Sequence, residues 1–264
     1  MTPAIEISHL HYRYPDGTQA LTDVSFSIAH GECVGLLGPN GSGKSTLLLH
    51  LNGILPEKPG ASGAVRIGGE AIEARNLAAI RRQVGLLFQD PDDQLFCATV
   101  EEDVAFGPNQ LGLPAEIVAE RVRQSLARVG LADRERRMPQ HLSQGEKRRA
   151  CLAGILACEP SVMVLDEPTS GLDPRGRREL KALLHVLGGT KLIATHDLEL
   201  VVEQCPRSVI LDGGRLVADG PTLELLADEE LMLAHGLEQP HILQHLQPEQ
   251  PFFWKPPGAG LRDR

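Results

Sequence analysis

Little in this sequence marks it for the interior of a membrane, for an oxidising compartment or for nucleic acid. Aromatic residues make up only 3% of the 264, and no apolar stretch approaches the roughly 18 to 20 residues needed to cross a bilayer. The start, Met1-Thr2-Pro3-Ala4-Ile5-Glu6, has neither the basic opening nor the apolar core of a secretory leader. Such a chain is expected in the cytosol, reaching a membrane only through a partner. Positive charge is also short: 26 Lys and Arg stand against 35 Asp and Glu, a net charge of −9. Gripping nucleic acid requires clustered cations to replace counterions along the phosphates, so this balance argues against nucleic acid as the main partner. Five cysteines, Cys33, Cys97, Cys151, Cys158 and Cys205, are odd in number and scattered, with no CxxC pair. Free thiols in a core are expected, not a disulfide or zinc framework. What remains, 42% hydrophobic and 23% charged, is an ordinary globular composition with enough length for one large domain, alone or with an appendage.

The hydrophobic pattern divides the chain. Ile5, Ile7 and Leu10, then Val24, Phe26 and Ile28, flank the turn Tyr14-Pro15-Asp16-Gly17, which predicts an antiparallel β region. Cys33 to Leu37 is a short apolar strand followed at once by a glycine-rich loop and a helical run, Ser45 to Leu55. From about 90 to 158 the period becomes helical, with Val118, Val122, Leu126 and Val129 on one face. Buried-type strands return at Ser161 to Leu165 and Lys191 to Thr195, around a helix near Arg175 to Leu187. A hairpin follows at Val209 to Val217 with its turn at Gly213-Gly214, then a helix over Thr222 to Ala234. Beyond Gly236 the chain turns to Gln, His and Pro, and a loosely ordered tail is expected. Its His241 and His245 read as a solvated pair, and Phe252-Phe253-Trp254 as a small docking patch.

Three motifs carry chemistry. Gly38-Pro39-Asn40-Gly41-Ser42-Gly43-Lys44-Ser45 satisfies G-x-x-x-x-G-K-[ST] between a strand and a helix. Its glycines let backbone N–H groups turn in around phosphate oxygens, Lys44 reaches the β- and γ-phosphates, and Ser45 offers a hydroxyl to Mg²⁺. Second, the apolar run Val162 to Leu165 ends in Asp166-Glu167, giving one acid for the Mg²⁺ shell and one to polarise an attacking water. Third, in Leu142-Ser143-Gln144-Gly145-Glu146, Ser143 and Glu146 form an S-x-x-E capping box at a helix start whose free N-terminus suits an anion.

Together these motifs resemble the nucleotide-binding subunits of ABC transporters, from about Ile5 to Leu233. The resemblance implies an α/β P-loop NTPase with a RecA-like core, an antiparallel β subdomain and a helical insertion at about 90–158, the ABC ATPase fold, over residues 1–235; 236–264 would be an extension. ATP and Mg²⁺ are the implied cofactors. Gly38, Asn40, Gly41, Ser42, Gly43, Lys44, Ser45 and Thr46 are the implied phosphate contacts, and Tyr14 the aromatic under adenine. Ser45, Gln89 and Asp166 would hold Mg²⁺, partly through water. Glu167 and His196 are the implied catalytic pair, with His196 on the γ-phosphate. Ser143, Gly145, Glu146 and Asp173 would meet the nucleotide of a second copy or paralogue in a head-to-tail dimer. The signature carries Gln144 and Glu146 where many members have Gly and Gln.

The segment Gln89-Asp90-Pro91-Asp92-Asp93-Gln94-Leu95-Phe96 looks like the ATPases of energy-coupling-factor importers, most of all those for cobalt or nickel. That likeness implies a transmembrane coupling subunit seated near Asp92 and Gln94 on a solvent-facing helix, a separate substrate-binding membrane subunit, and a position on the cytoplasmic face of the cell membrane.

Overall fold

A computed structural model describes residues 2–57, 64–238 and 240. Alternation at the start of the chain becomes two antiparallel strands, β1 (Ile5–Arg13) and β2 (Gln19–Ile28). Ile5, Ile7 and Leu10 all face inward although their spacing is two and then three. A register shift between Ile7 and Leu10 absorbs the extra residue, with His9 and Asp23 both at positive φ. After α1 (Lys44–Leu51), the strands β4 (Val65–Ile67) and β5 (Glu70–Ala71) extend this sheet in the order β2-β1-β4-β5. The helix α1 stops four residues before the sequence pattern predicts. Gly53, at φ +67, turns the chain there.

The second sheet has the order β10-β9-β3-β8-β7-β6. It comprises β3 (Cys33–Leu37), β6 (Val84–Leu87) after the short α2 (Leu77–Gln83), β7 (Val162–Asp166), β8 (Thr190–Ala194), β9 (Arg207–Asp212) and β10 (Arg215–Pro221). All neighbours are parallel except the β9–β10 hairpin. Strict alternation sorts each strand between two cores. Val34, Leu36, Val162, Val164, Leu192, Val209 and Leu211 pack toward α1 and the antiparallel sheet. Leu37, Met163, Leu165, Ile193 and Ile210 pack toward the helical side. Burial on both faces is why these segments read as unbroken apolar runs.

Between β6 and β7 lie α3 (Val100–Gln110), α4 (Ala115–Arg128) and α5 (Gln144–Ala157). The expected apolar face of α4 is buried, Val118, Val122 and Leu126 included. A second capping box, Thr99 with Glu102, starts α3. Downstream, α6 (Pro174–Val186) and α7 (Leu198–Gln204) cover the helical face. The single helix expected over Thr222 to Ala234 is instead two, α8 (Thr222–Ala227) and α9 (Glu229–Ala234). Asp228 breaks it because its carboxylate accepts from Leu231 N at 3.0 Å and caps the second helix. After α9, His235 Nδ1 meets Asp212 Oδ2 at 2.9 Å, and Leu237 is buried. His241, His245 and Phe252 to Trp254 lie outside the described residues.

One close approach sets the fit of α5 against the sheet. A Cβ on Gly85 would come within 2.4 Å of Ile155 Cγ2 and 3.0 Å of Pro160 Cγ. Gly85→Ala is therefore expected to lower stability by about 1 to 3 kcal/mol, the usual cost of overpacking. In urea unfolding, the loss should be partly recovered when Ile155→Ala is added.

Candidate active site

Parallel register brings four strand ends to one edge. Leu36 pairs with Ala194, Ala194 with Asp166, and Leu165 with Leu87. The loops that leave these ends carry Gly38 to Ser45, Phe88-Gln89, Glu167 and Thr195-His196. Ligands of open α/β sheets bind at this carboxyl edge.

The glycine loop is held by contacts that only glycine permits. Gly38 sits at φ +146, where a Cβ would lie 2.0 Å from Leu211 O; Gly43 sits at φ +102, where a Cβ would lie 2.7 Å from Ala20 O. Gly43 is also the N-cap of α1. Lys44 turns back over the loop, its Nζ donating to Gly38 O at 2.7 Å and Pro39 O at 3.0 Å. Burial lowers its pKa, opposed by the charges of Glu167 and Asp166. Ser42 Oγ is buried with no hydrogen-bond partner among the described residues. Tyr14 joins the same cleft, its hydroxyl 2.9 Å from Thr46 Oγ1 and its ring edge-on to Tyr12. The cleft, about 370 Å³, is lined by Tyr14, Asn40 to Thr46, Gln89, Asp166 and Glu167 among others.

Opposite the loop, Asp166 accepts a hydrogen bond from the Ser45 side chain, and burial raises its pKa despite that bond. Glu167 follows in the left-handed region at φ +46. That conformation is uncommon for a side chain with a Cβ and clusters at functional sites. It lets Glu167 N donate to Ala194 O at 2.8 Å, while Oε2 accepts from Thr195 Oγ1 at 3.0 Å and lies 2.8 Å from His196 Nδ1. Glu167 is 6% exposed, whereas the His196 side chain is 69% exposed. The implied catalytic pair is thus in contact, with only His196 open to solvent.

The signature residues lie elsewhere. Ser143, Gly145, Glu146, Leu172 and Asp173 line a second cleft of about 470 Å³ that shares no residue with the first. The expected capping box forms at the start of α5, with Ser143 N donating to Glu146 Oε2 at 2.9 Å. Glu146 also accepts from Arg134 Nε at 3.1 Å. The Ser143 backbone bond is the first cause holding the Glu146 carboxyl below its ordinary range. Its carboxylate thus closes the capping box and pairs with Arg134 at the start of α5. Asp173 is likewise engaged as N-cap of α6, accepting from Gly176 N at 2.6 Å.

Pro91–Asp93 forms a single 3₁₀ turn, with Asp90 as its cap. The expected helix is thus a single turn. Gln94 is half-buried: its amide accepts from Phe88 N and donates to Cys151 O, each at 3.4 Å, which ties the turn to the end of β6 and to α5. Asp92 remains exposed but is paired with Lys147 Nζ at 2.6 Å. A groove lined by Phe88 to Asp93, Gln144, Arg148, Ser170 and Gly171 runs from this turn to Ser45 and Asp166. Just beyond it, Phe96 and Phe106 meet edge-on at 4.9 Å, with 64% and 44% of their surface exposed. Sequence reasoning missed this pair, although nearly all the aromatic content of the insertion is in it. All five cysteines are free, as expected.

The sequence profile of the ABC transporter family matches residues 21–170, across both the glycine loop and the Asp166-Glu167 strand. The chain belongs to the ABC transporter family. It is an ATP-binding, ATP-hydrolysing protein of the ABC ATPase fold. Among its relatives, the energy-coupling factor transporter ATP-binding protein EcfA of Methanothermobacter thermautotrophicus is 50% identical over 89% of this chain and 76% of that protein. EcfA of Methanocaldococcus jannaschii is 46% identical over 90% and 86%. The solved structure of cbiO1 from Clostridium perfringens, described as part of the ABC transporter complex cbiONQ, superimposes with a TM-score of 0.76 at 37% identity, over 92% of this chain and 98% of that one. Among the described residues no helix is long and apolar enough to cross a membrane.

Asp166 offers a test of the ATPase cleft by stability. Its folded pKa is raised, so the fold is relieved of the buried anion below the ordinary carboxylate pKa and loses that relief as pH rises through the folded value. Asp166→Asn removes the cost. The nucleotide-free protein is expected to melt about 2 to 4 °C higher at pH 7.5, roughly 1 kcal/mol, with a smaller gain at pH 4.5. Calorimetry at the two pH values checks this, alongside loss of ATP hydrolysis.

Proposed function

We propose that this ABC ATPase powers an importer of the energy-coupling-factor type from the cytoplasmic face of the cell membrane, and that its cargo is a transition metal ion, cobalt first and nickel second. The support is its identity with the two EcfA proteins and with cbiO1. A substrate-binding membrane subunit selects the cargo, and a transmembrane coupling subunit receives the work. Residues 1–235 act as the ATPase domain, with 236–264 as its extension.

One observation carries the working unit: the two clefts share no residue. The signature residues Ser143, Gly145 and Glu146 stand away from the nucleotide cleft of their own chain, which supports a second copy or paralogue supplying them head to tail. Gly38 to Thr46 cradle the phosphates, the partnerless hydroxyl of Ser42 among them, and Tyr14 lies under the base. On release from the Gly38 and Pro39 carbonyls, Lys44 turns to the β- and γ-phosphates. Ser143 and the backbone of Gly145 meet the nucleotide from the opposite copy. Glu146 serves by holding that helix start, and Asp173 crosses nearby.

Ser45, Gln89 and Asp166 provide only oxygen donors at one end of the cleft, and two of them are already hydrogen-bonded together. That set fits Mg²⁺. These residues would hold Mg²⁺, which would supply positive charge against the transferring phosphoryl group. Glu167 polarises the attacking water, and His196, which contacts it, reaches the γ-phosphate.

The coupling subunit seats a basic, partly apolar helix on Asp92 and on the exposed Phe96 and Phe106 rings, which together offer charge and apolar area. Gln94, half-buried beside Asp92, braces the turn and completes the docking surface.

Two experiments test the reading. In Glu167→Gln the amide keeps the shape but is a poor base, so ATP affinity should be unchanged while single-turnover cleavage falls by 100-fold or more and the ATP-bound dimer persists. Cleavage at the wild-type rate would remove Glu167 from its role. For the importer, affinity capture from detergent-solubilised membranes should recover two membrane proteins, and cobalt uptake should depend on the chain. Phe96→Ser with Phe106→Ser should weaken that capture at least tenfold while leaving ATP affinity within twofold. Undiminished capture would move the docking site elsewhere.

A further inference from the structure

α5 turns two consecutive cations toward the segment that follows β6. Lys147 takes its exposed end through Asp92. Arg148 takes its buried end: Nη1 donates to Gln89 O at 2.7 Å and Phe88 O at 3.1 Å, and Nη2 to Ser170 O at 3.0 Å. Arg148 is 4% exposed, and among the described residues no carboxylate lies within 4.0 Å of it. Its Nε has no partner. Burial lowers its pKa, with the more distant Asp90, Glu167 and Asp166 among the groups opposing that shift.

A guanidinium buried against neutral carbonyls loses its hydration without gaining a close counter-ion, and only its three hydrogen bonds offset that cost. Stability alone therefore does not explain an arginine here. What the arginine joins does. Gln89 lines both the nucleotide cleft and the groove. Ser170 closes the turn after the catalytic strand, its N donating to Glu167 O at 3.1 Å. The third body is α5 itself, whose first turn is the signature. Three fixed carbonyls, each with a donor from one planar fork, define a single relative pose of these segments.

We propose that Arg148 is a positioning residue for ATP hydrolysis: its guanidinium sets the Gln89 backbone and the Glu167–Ser170 turn in one register and locks both to the signature helix. A displacement of the groove is then transmitted to the two chemical groups together, not to either alone. The inference rests on the roles given above to Gln89 and Glu167.

The test uses the purified full-length chain and four proteins: wild type, Arg148→Lys, Arg148→Met and Gln89→Ala. Lysine keeps the charge but cannot span three carbonyls, and methionine fills the space without charge. Both are expected to lower kcat at least tenfold with KM for ATP within twofold, because the glycine loop is untouched. In hydrogen exchange, amides of residues 88–94 and 168–172 should exchange at least tenfold faster, while those of β7 and β8 stay protected. Wild-type kcat in both variants, or loss of kcat with faster exchange throughout the parallel sheet, overturns the proposal. Gln89→Ala separates the two claims: full activity there withdraws the role of Gln89, whereas low activity there with normal Arg148→Lys turnover overturns the clamp alone.

Discussion

The parallel pairing of β3, β8, β7 and β6 is the constraint on which the rest of the molecule depends. Backbone hydrogen bonds between these strands fix how far each projects at the carboxyl edge. Alternating side chains buried in two cores fix which way each faces. A slip of one residue in β7 would turn Met163 and Leu165 toward the wrong core and withdraw Asp166 from Ser45. Precision at the site is thus inherited from burial far from it. No loop contact could supply it alone.

That inheritance has an opposing term. Lys44, Asp166, Glu167 and Arg148 are all less than one-tenth exposed, and the carboxylates of Asp166 and Glu167 act on both cations. Each loses hydration, and each is only partly compensated: Lys44 by two carbonyls, Asp166 by one hydroxyl, Glu167 by a threonine and a histidine at a left-handed backbone. A phosphate chain with its cation would compensate most of them at once. The fold therefore holds these charges and dipoles in the arrangement that a phosphate chain needs, which is the physical meaning of preorganisation here.

Most of this architecture was legible from residue order because its strands are buried on both faces and its loops are chemically unusual. Val162 to Asp166 can scarcely be anything but an interior strand, and a Gly-Lys-Ser after one strand and before a helix has few other uses. What escaped did so for definite reasons. β4 and β5 have three and two residues, too few to show a period. The break at Asp228 depends on one carboxylate choosing a backbone amide over solvent. Gln94 looks like a surface residue because its polarity is visible in sequence, while the backbone groups it satisfies are not. The same holds for Asp173, whose carboxylate caps α6 by accepting from Gly176 N. Arg148 was passed over inside a run of four basic and acidic neighbours, since only a structure shows which of them is buried.

The segregation of the glycine loop and the signature into clefts with no residue in common has a consequence that can be put in the language of inheritance. For a head-to-tail pair, a lesion in one cleft and a lesion in the other behave as alleles of separate units when carried on different copies. Half of the composite sites in such a mixed pair are doubly damaged, and the other half are wholly intact. Two lesions of the same cleft on different copies leave no intact site at all. Complementation between damaged copies would therefore map each residue to its cleft without any structural measurement.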